Sequence, residues 1–524
     1  MGSPMTAGNI LTPRNAFTRV LFLATFCAVL FLYTLRPIAD HPRNFHQEII
    51  AVSNVTQPHP RDCSLDSSHL QLLQQKYGLE DDIDYARRYV RFHRQDIKRQ
   101  SITKLDKDLF PKGFDRINIQ NPPMKTTCLK PLEVPVPNSP SPKTVDASDL
   151  LFGVSTTFKR LTSNDTNPMK EWAHWLTDGN GKSNGAGLVL RLVDATNEEI
   201  QEAKTNMTGM GIDVKVYHSS SSDEMAARYL SLLPALYNDS SRKSRKFLVM
   251  CDDDTFFPSV HSLLSRLSTY DHKEELYIGT FSEDVNNIQR HGSQAFGGAG
   301  VFFSVPLAEK IAALYDQCST SEKITESNTG WGPQGDILLR KCIYENTEVR
   351  LSMLRDLHQL DIQGDPAGFY EAGLFPLSLH HFKGGFWHEA KPYAGAQVIH
   401  ACGEACFLQR FQTKDNFIIS NGYSVAQYPK GINFNVHQME RTFKPAPDDY
   451  GWNLDFMLGP GRKSLAYTGR KVAWELKEAR VQEDGSVLQT YVRKLDDRRW
   501  SYQEGNNWYR MMEKDGIVEL VWIP

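Results

Sequence analysis

The sequence has little excess charge of either sign. Its 524 residues include 59 lysines and arginines and 62 aspartates and glutamates, so the formal net charge is −3. No basic face or arm stands out, and the composition therefore gives no reason to expect a nucleic-acid partner. No internal repeat is evident. With 40% hydrophobic residues, a chain of this length predicts two or more domains with real cores.

Long apolar runs are scarce. The most prominent one is Val20–Leu35, which carries no charge and is bounded by Arg19 and Arg36. As a helix it would span roughly 24 Å, which is short for a hydrocarbon core of about 30 Å, although membranes of the early secretory pathway are thinner. We expect a single-pass signal anchor. A cleaved signal peptide is the alternative, but no small-x-small cleavage site follows in residues 36–41.

Cysteines are also few, and only 8 are present. Cys318 and Cys342 bracket one predicted helical region, and Cys402 and Cys406 form a close pair. In an oxidising lumen these cysteines would form disulfides. Zinc binding by the close pair is the alternative, but no second pair or histidine at finger spacing accompanies it. Four triplets fit the N-glycosylation pattern, and they begin at Asn54, Asn164, Asn206 and Asn238.

Three regions follow the predicted anchor. Residues 36–148 are polar and mixed, and Pro131–Pro142 indicates an extended linker, so we expect a lumenal stem. Residues 149–384 alternate predicted strands and helices, which indicates an α/β domain with a mostly parallel sheet. Residues 385–524 lose this alternation and contain short aromatic-rich runs, so we expect a β-rich accessory region.

Three consecutive carboxylates, Asp252-Asp253-Asp254, end the apolar run Lys246–Cys251. The run is long enough for a buried strand, and burying adjacent like charges is costly without a positive partner. A divalent cation such as Mg²⁺ or Mn²⁺ is that partner in many sites beside a phosphate. The alternatives are a solvated acidic loop and an N-cap for a helix that starts near Pro258.

Other candidate residues lie at comparable positions. Ser155 and Thr156 end another predicted strand, where ligands bind in such sheets. The segment Ala295–Gly300 is glycine-rich, which indicates either a close backbone approach to a ligand or a plain turn. Asp336 opens a helix as an N-cap or acts as a general base. A histidine could complete the metal site, but spacing alone does not select among His358, His380 and His381.

Taken together, these motifs resemble a known family. Asp252–Thr255 after a strand, Tyr277–Gly279, the Gly-Gly-Ala-Gly run ending at Gly300, and the pair Cys318 and Cys342 are similar to the Fringe-like inverting glycosyltransferases of family 31. That family includes Fringe and the core-1 β-1,3-galactosyltransferases. The resemblance covers roughly residues 150–385. It implies a GT-A fold, a UDP-sugar donor, Mn²⁺ (or Mg²⁺) and a type II Golgi topology.

The resemblance also implies roles for single residues. Asp252 and Asp254 match the D-x-D ends, with Asp254 the direct metal ligand, and His358 matches the metal histidine, with His381 as the alternative. Asp336 matches the base, but Gly335 stands where the family has a second acid. Predicted contacts to the donor are Asp252, Asp253, Ser155, Thr156, Gly298 and Gly300. Residues 379–381 and the tail after them look closer to a less characterised plant and fungal branch.

The sequence therefore predicts a cytoplasmic tail (1–19), a transmembrane anchor (20–35), a stem (36–148), a Fringe-like GT-A catalytic domain (149–384) and a β-rich accessory region (385–524). The predicted function is a Golgi-membrane glycosyltransferase that transfers a hexose from a UDP-sugar to a glycan or glycoprotein hydroxyl, forming a β-1,3 linkage with inversion. A non-catalytic sugar-binding or chaperone-like protein of the same fold is the main alternative, and a metal-dependent hydrolase is the third.

Overall fold

The computed structural model describes residues 63–164, 168–444 and 455–524. Contacts along the chain divide it into Met1–Thr56 and Gln57–Pro524, and every described residue lies in the second unit. The predicted anchor at residues 20–35 falls outside the described residues and stays a prediction. Among the described residues, every helix is too short or too polar to cross a membrane.

The strands, numbered in chain order, are β1 (Asp82–Gln95), β2 (Ile102–Lys104), β3 (Asp115–Asn118), β4 (Leu132–Pro137), β5 (Leu150–Thr157), β6 (Gly187–Val193), β7 (Asp213–Ser219), β8 (Phe247–Met250), β9 (Tyr277–Gly279), β10 (Val301–Ser304), β11 (Leu351–Met353), β12 (Gln363–Gly364), β13 (Arg410–Gln412), β14 (Phe417–Ser420), β15 (Ser424–Gln427), β16 (Met439–Arg441), β17 (Phe443–Lys444), β18 (Gly461–Lys463), β19 (Val472–Val481), β20 (Val487–Arg493), β21 (Ser501–Glu504), β22 (Asn507–Arg510) and β23 (Asp515–Ile523).

The helices are α1 (Ser67–Tyr77), α2 (Phe158–Leu161), α3 (Pro168–Leu176), α4 (Asn197–Gly209), α5 (Met225–Asn238), α6 (Val260–Leu267), α7 (Val285–His291), α8 (Val305–Ala313), α9 (Tyr315–Cys318), α10 (Ser321–Glu326), α11 (Gly335–Asn346), α12 (Ala367–Tyr370), α13 (Pro392–Ala396), α14 (Ile399–Cys402) and α15 (Asp455–Leu458). Sequence signals explain several of their starts. Thr196 and Glu199, for example, form a capping box at the start of α4.

A seven-stranded sheet carries the candidate site. Its strand order is β11-β9-β10-β8-β5-β6-β7. Strands β5, β6, β7 and β8 are parallel to one another where they pair, β11 is parallel to β9, and only β10 runs antiparallel to both β8 and β9. The predicted mostly parallel α/β sheet is thus confirmed.

Strand β8 is buried on both faces of this sheet. Phe247 and Val249 belong to one hydrophobic cluster, and Leu248 and Met250 belong to another on the opposite face. A strand covered on both faces needs a continuous apolar run instead of an alternating one. This packing explains why Phe247–Met250 is uniformly apolar, and it places the carboxylates that follow at the carboxyl end of a central strand.

The residues predicted to form a stem contribute to a second, larger sheet. Its order is β2-β13-β14-β15-β19-β20-β23-β1-β3, with β4 paired to β1. Strand β1 runs parallel to β23, with Ile83 opposite Asp515, so residues near the two ends of the described chain are neighbours. The Cys63–Cys128 disulfide closes this region.

The extended linker predicted at Pro131–Pro142 is therefore wrong for β4. Leu132, Val134 and Val136 are buried in the hydrophobic core. Prolines are tolerated here because, among the described strands, β4 pairs with β1 alone, and proline is accepted on an edge strand that need not donate to a second neighbour.

The predicted β-rich character of residues 385–524 is confirmed, since strands β13 to β23 all lie there. The predicted disulfides also form, because Cys318 bonds to Cys342 and Cys402 bonds to Cys406. Cys251, directly after β8, is buried and carries a free thiol.

Candidate metal and active site

The three aspartates leave β8 in a tight turn that Thr255 holds in place. The Thr255 hydroxyl accepts a hydrogen bond from the Asp252 backbone N–H at 3.0 Å and donates to the Gly298 carbonyl at 2.8 Å. The aspartate turn and the glycine-rich turn, which are more than forty residues apart in sequence, are therefore fixed to each other. Within the aspartate turn, each carboxylate has its own partners.

Asp253 is the carboxylate that the protein neutralises with its own cation. The Arg160 guanidinium donates from Nε to Asp253 Oδ2 at 2.7 Å and from a second nitrogen to Oδ1, and the Thr156 hydroxyl also donates to Oδ2. A two-pronged pair of this kind fixes both position and orientation. Asp253 is buried, whereas the Arg160 side chain is 59% exposed. Asp253 and Thr156, which were predicted to contact the UDP-sugar donor, therefore hold the Arg160 side chain at the edge of the sheet.

Asp252, Asp254 and His380 form the metal-binding candidate. One ligand atom from each lies within 4.8 Å of the other two. His380 Nε2 is 3.0 Å from Asp254 Oδ1 and 3.5 Å from Asp252 Oδ2. The structure brings the histidine there through paired backbone hydrogen bonds of 2.8 Å between Phe256 and Leu379, each donating to the other.

The prediction that His358 binds the metal is wrong, because this residue lies outside the cluster. Its Nδ1 lies 3.0 Å from Glu283 Oε1, its backbone N–H donates to the Ser378 hydroxyl, and the residue is buried. The alternative, His381, also points elsewhere: its Nδ1 is 2.9 Å from Asp361 Oδ1. His381 has a left-handed backbone with φ of 55°, which is rare for a residue with a side chain. Because of this turn, the adjacent side chains of His380 and His381 contact different partners, which are Asp254 and Asp361.

The charges of the cluster are strongly coupled. Burial would raise the pKa of Asp254, but His380 and then His381 and Arg160 bring that pKa far below its usual range. Burial would lower the pKa of His380, but Asp254 and Asp252 raise it well above its usual value. Both shifts have one cause, which is that two neighbouring carboxylates favour a positive charge between them. Two carboxylate oxygens and an imidazole nitrogen suit Mn²⁺.

The glycine-rich turn is required by protein packing. A Cβ on Gly298 would lie 2.1 to 2.4 Å from three atoms of the His380 ring, and a Cβ on Gly297 would lie 2.9 Å from Asp336 Oδ1. Gly300 has a φ of +92° and faces the Phe257 ring. The predicted donor contacts at Gly298 and Gly300 are thus positions where the backbone approaches other side chains. Ser155 is half-buried near the end of β5.

Asp336 is half-buried at the start of α11. Burial, and then the nearby Asp252 carboxylate, raise its pKa, while the Gly297 backbone N–H and the Tyr229 hydroxyl lower it, and the net result is a pKa of about 7. A carboxyl group whose pKa lies near neutrality has the basicity that general-base chemistry needs. The structure places Asp336 close enough to Asp252 for the two charges to interact.

The missing second acid also has a structural explanation. A Cβ on Gly335 would lie 2.6 Å from both Cβ and Cγ of Tyr229, so a larger residue at this position requires the ring to move. Burial raises the pKa of the Tyr229 hydroxyl well above its usual value, and the charges of Asp336 and Asp252 raise it further. A tyrosine thus occupies the space next to the single carboxylate.

A cleft of about 970 Å³ opens beside Asp336. It is lined by side-chain amides and aromatic rings as well as by charged groups of both signs. Asp252 and Asp254 lie outside this lining, so the carboxylate of Asp336 stands between the metal cluster and the cleft. The arrangement can deprotonate a hydroxyl that enters from the cleft.

Comparison with known proteins finds a family that matches the segment containing this site. The Fringe-like family model matches residues 192–381, which include the aspartate turn, Asp336 and His380. Residues 192–381 are thus similar to the Fringe-like family. The predicted resemblance to Fringe-like glycosyltransferases is confirmed over this segment, which is less than half of the chain. No curated protein matches the chain closely enough to serve as a relative.

Solved structures resemble the chain only distantly. The glycosyltransferase GlyE of Streptococcus pneumoniae TIGR4 is 17% identical over 44% of this chain, with a TM-score of 0.28, and the chain spans about half (53%) of GlyE. The galactosyltransferase LgtC, in complex with donor and acceptor sugar analogs, is 9% identical over 39% of this chain and 74% of its own, with a TM-score of 0.28. The mannosyltransferase PcManGT of Pyrobaculum calidifontis, with GDP-Man and Mn²⁺, is 12% identical over 41% of this chain and 59% of its own, with a TM-score of 0.25.

Proposed function

We propose that this protein is a metal-dependent inverting glycosyltransferase that transfers a hexose from a UDP-sugar to a hydroxyl of a glycan or glycoprotein, with a β-1,3 linkage as the expected product. The observation that carries the proposal is the placement of Asp336, a largely enclosed carboxyl with a pKa of about 7, beside the cluster of Asp252, Asp254 and His380. A GT-A fold agrees with the parallel sheet that ends at these residues. The Fringe-like match over residues 192–381 supports the same chemistry.

Asp252, Asp254 and His380 would hold Mn²⁺ or Mg²⁺, because their three ligand atoms lie together and two of them are carboxylate oxygens. When bound, such an ion stabilises the charge that develops on a departing nucleoside diphosphate. Asp253 holds the Arg160 guanidinium near the same edge, so this pair adds no net charge there. A diphosphate is the kind of ligand that a divalent cation at this edge would attract.

Asp336 performs the proton step. Its carboxylate accepts the proton of an acceptor hydroxyl that enters through the cleft, and the hydroxyl oxygen then forms a bond to the anomeric carbon while the bond to UDP breaks. A single displacement from an α-linked donor gives a β-linked product. The second acid that the family uses is absent at Gly335, but the raised pKa of Asp336 gives this one carboxylate the required basicity.

The proposal includes a place in the cell. A type II anchor at residues 20–35 would put the domain in the Golgi lumen, and three disulfides agree with an oxidising compartment. Protease treatment of sealed vesicles tests the topology. If the domain is lumenal, the bulk of the chain stays intact until detergent is added, and early digestion would refute the lumenal placement.

A matched pair of histidine variants tests the metal site. In the full-length protein, His380→Gln should abolish Mn²⁺-dependent binding of UDP, measured by titration calorimetry with a chelator control. His358→Gln should keep that binding and lower thermal stability instead, because it removes the buried partner of Glu283. Equal UDP binding by the parent and His380→Gln would refute the assignment.

A third variant separates the enzyme from a non-catalytic sugar-binding protein of the same fold. Asp336→Asn should retain UDP binding with Mn²⁺ and lose transfer from UDP-sugars to glycan acceptors by about 10²- to 10⁴-fold, the usual range for a general base. A parent protein that binds UDP but neither transfers sugar nor hydrolyses any UDP-sugar would favour the non-catalytic alternative. Donor screening with Mn²⁺ would identify the sugar.

A further inference from the structure

Two exposed aromatic rings stand on separate loops at the cleft beside Asp336. Trp331 and Phe386 both line the cleft, and each is 72% exposed. Single exposed hydrophobic side chains are common, but two aromatic rings on the lining of one cleft beside a candidate catalytic carboxylate provide a surface that a ligand in the cleft can contact. Both loops are internally braced, so the rings are held in place instead of trailing into solvent.

The first loop consists of residues 328–334. The Asn328 side-chain oxygen accepts hydrogen bonds from the backbone N–H groups of Gly330 at 2.8 Å and Gly332 at 3.1 Å. The backbone of Asn328 also forms an antiparallel β-bridge with Pro333. Both glycines have a positive φ, which the tight turn requires. Trp331 lies between these glycines, five residues before Asp336. Its indole also lies 5.1 Å from the Arg290 guanidinium, measured to the ring centre.

The second loop consists of residues 383–389. The backbones of Lys383 and Glu389 form an antiparallel β-bridge. Two glycines with positive φ form the tip of the loop directly before Phe386. The adjoining Trp387 ring stacks on His381 at 4.2 Å between centroids, with 13° between the planes. His381 follows the metal-binding candidate His380, so the second aromatic loop is anchored next to the cation cluster.

Side-chain amides make up half of the polar residues that line the cleft. They can both donate and accept hydrogen bonds, as sugar hydroxyls do, and they are Asn286, Asn287, Gln294, Gln334, Gln359 and Gln363. The charged lining groups have both signs, with Asp284, Asp336 and Asp361 against Arg290 and Lys444. The cleft is therefore suited to a neutral, hydroxyl-rich ligand more than to a strongly acidic or basic chain.

We infer that the acceptor is a neutral oligosaccharide, whose reacting sugar lies at Asp336 and whose further sugar units lie against Trp331 and Phe386. The electron-rich face of an aromatic ring attracts the polarised C–H groups on one side of a pyranose. A volume of about 970 Å³ lies at the upper end of the range for small-molecule sites, which leaves room beyond one hexose. This inference rests on the proposed function, because it identifies the acceptor of that reaction.

Kinetics with acceptors of increasing length test the inference in the full-length protein. Trp331→Ala and Phe386→Ala should each raise the KM for a tri- or tetrasaccharide acceptor about three- to tenfold. Neither should change the KM for the matching monosaccharide or the rate of UDP-sugar hydrolysis without acceptor. Trp508→Ala is the matched control, since Trp508 is an exposed tryptophan outside the cleft lining. Equal losses for short and long acceptors, or unchanged KM values, would overturn the inference.

A binding experiment keeps the inference testable without turnover. The parent and the Trp331→Ala/Phe386→Ala double variant are applied to an array of neutral and acidic oligosaccharides. Binding of neutral glycans by the parent, lost in the double variant and kept in Trp508→Ala, supports the inference even if no UDP-sugar is used. Absent or unchanged glycan binding overturns it, whereas failure of Mn²⁺-dependent UDP binding refutes the proposed function alone.

Discussion

His174 should make the stability of the protein sensitive to acid. The imidazole is buried on α3 against Phe256, with 5.0 Å between ring centres, and the Phe256 backbone holds the strand pair that presents His380. His174 Nε2 donates to the Pro258 carbonyl at 3.2 Å, whereas Nδ1 has no hydrogen-bond partner among the described residues. A second proton would therefore sit on a nitrogen shielded from water.

Burial, and then the neighbouring His400 ring 6.0 Å away, lowers the pKa of His174 from 6.5 to about 3. The other groups that face it are Tyr393 and Glu404, and Glu404 is itself bonded to backbone N–H groups. Because the folded-state pKa is depressed, the unfolded chain binds the proton first, and stability falls as pH drops below 6.5. At pH 5 the loss from this one group is about 2 kcal/mol.

Urea unfolding at pH 7.5 and pH 5.0 checks this value. His174→Gln keeps a donor for Pro258 but cannot take a proton, so it should lose about 2 kcal/mol less than the parent between the two pH values. His218→Gln, which changes an exposed histidine, should behave like the parent. The same acid loss in His174→Gln as in the parent would refute the reasoning.

Three further predictions concern packing around the site and the large sheet. Gly298→Ala should weaken Mn²⁺ binding by about 10- to 100-fold in calorimetry, because its methyl group displaces His380, and unchanged affinity would contradict this. Gly335→Asp, which restores the family's acid, should destabilise the protein by about 1–3 kcal/mol in urea unfolding without raising activity, since Tyr229 fills the space. Lys471→Met should cost about 3–5 kcal/mol in the same assay, because it leaves Glu371 without its cation and the buried Glu440 with Arg462 alone, and a loss below about 1 kcal/mol would refute that role.

The central sheet and the aspartate turn could be predicted because their signals are local. Phe247–Met250 is apolar throughout, as a strand buried on both faces must be, and three carboxylates mark its end. The alternation of strands and helices before it places that end at the ligand edge of the sheet. Asp336 could be recognised from a local signal too, since it opens a helix between the two cysteines of the Cys318–Cys342 pair.

The metal histidine could not be read from the sequence in this way. His358 has the spacing that the family resemblance implies, yet Glu283 binds it in the interior. His380 reaches the aspartates only because Leu379 pairs with Phe256, a contact between residues more than a hundred positions apart. Periodicity carries no information about such a bridge, and the positive φ of His381, which separates the paths of two adjacent histidines, has no sequence signal either.

The stem prediction failed over its described part, residues 63–148, for a related reason. Residues 82–95 mix charged and apolar residues much as a solvated segment does, and their partner strand β23 lies more than four hundred residues later. The charged residues are satisfied across that distance: Glu519, on β23, accepts hydrogen bonds from Tyr85 and Arg87 and lies 3.1 Å from His69. Polar composition indicated a linker because the groups that neutralise it are remote in sequence.

The β-rich tail is part of the architecture of the cleft. Strand β17 pairs with β12, with Lys444 opposite Gln363, and both of these residues line the cleft beside Asp336. The tail also contacts the start of α6, where the Glu404 carboxylate accepts hydrogen bonds from the backbone N–H groups of His261 and Ser262, each at 2.9 Å. These groups open α6 just after the aspartate turn, and a carboxylate there satisfies free donors and complements the helix dipole. Residues after 384 therefore support both the helix behind the metal cluster and the wall of the cleft, so the tail completes the site that the Fringe-like domain begins.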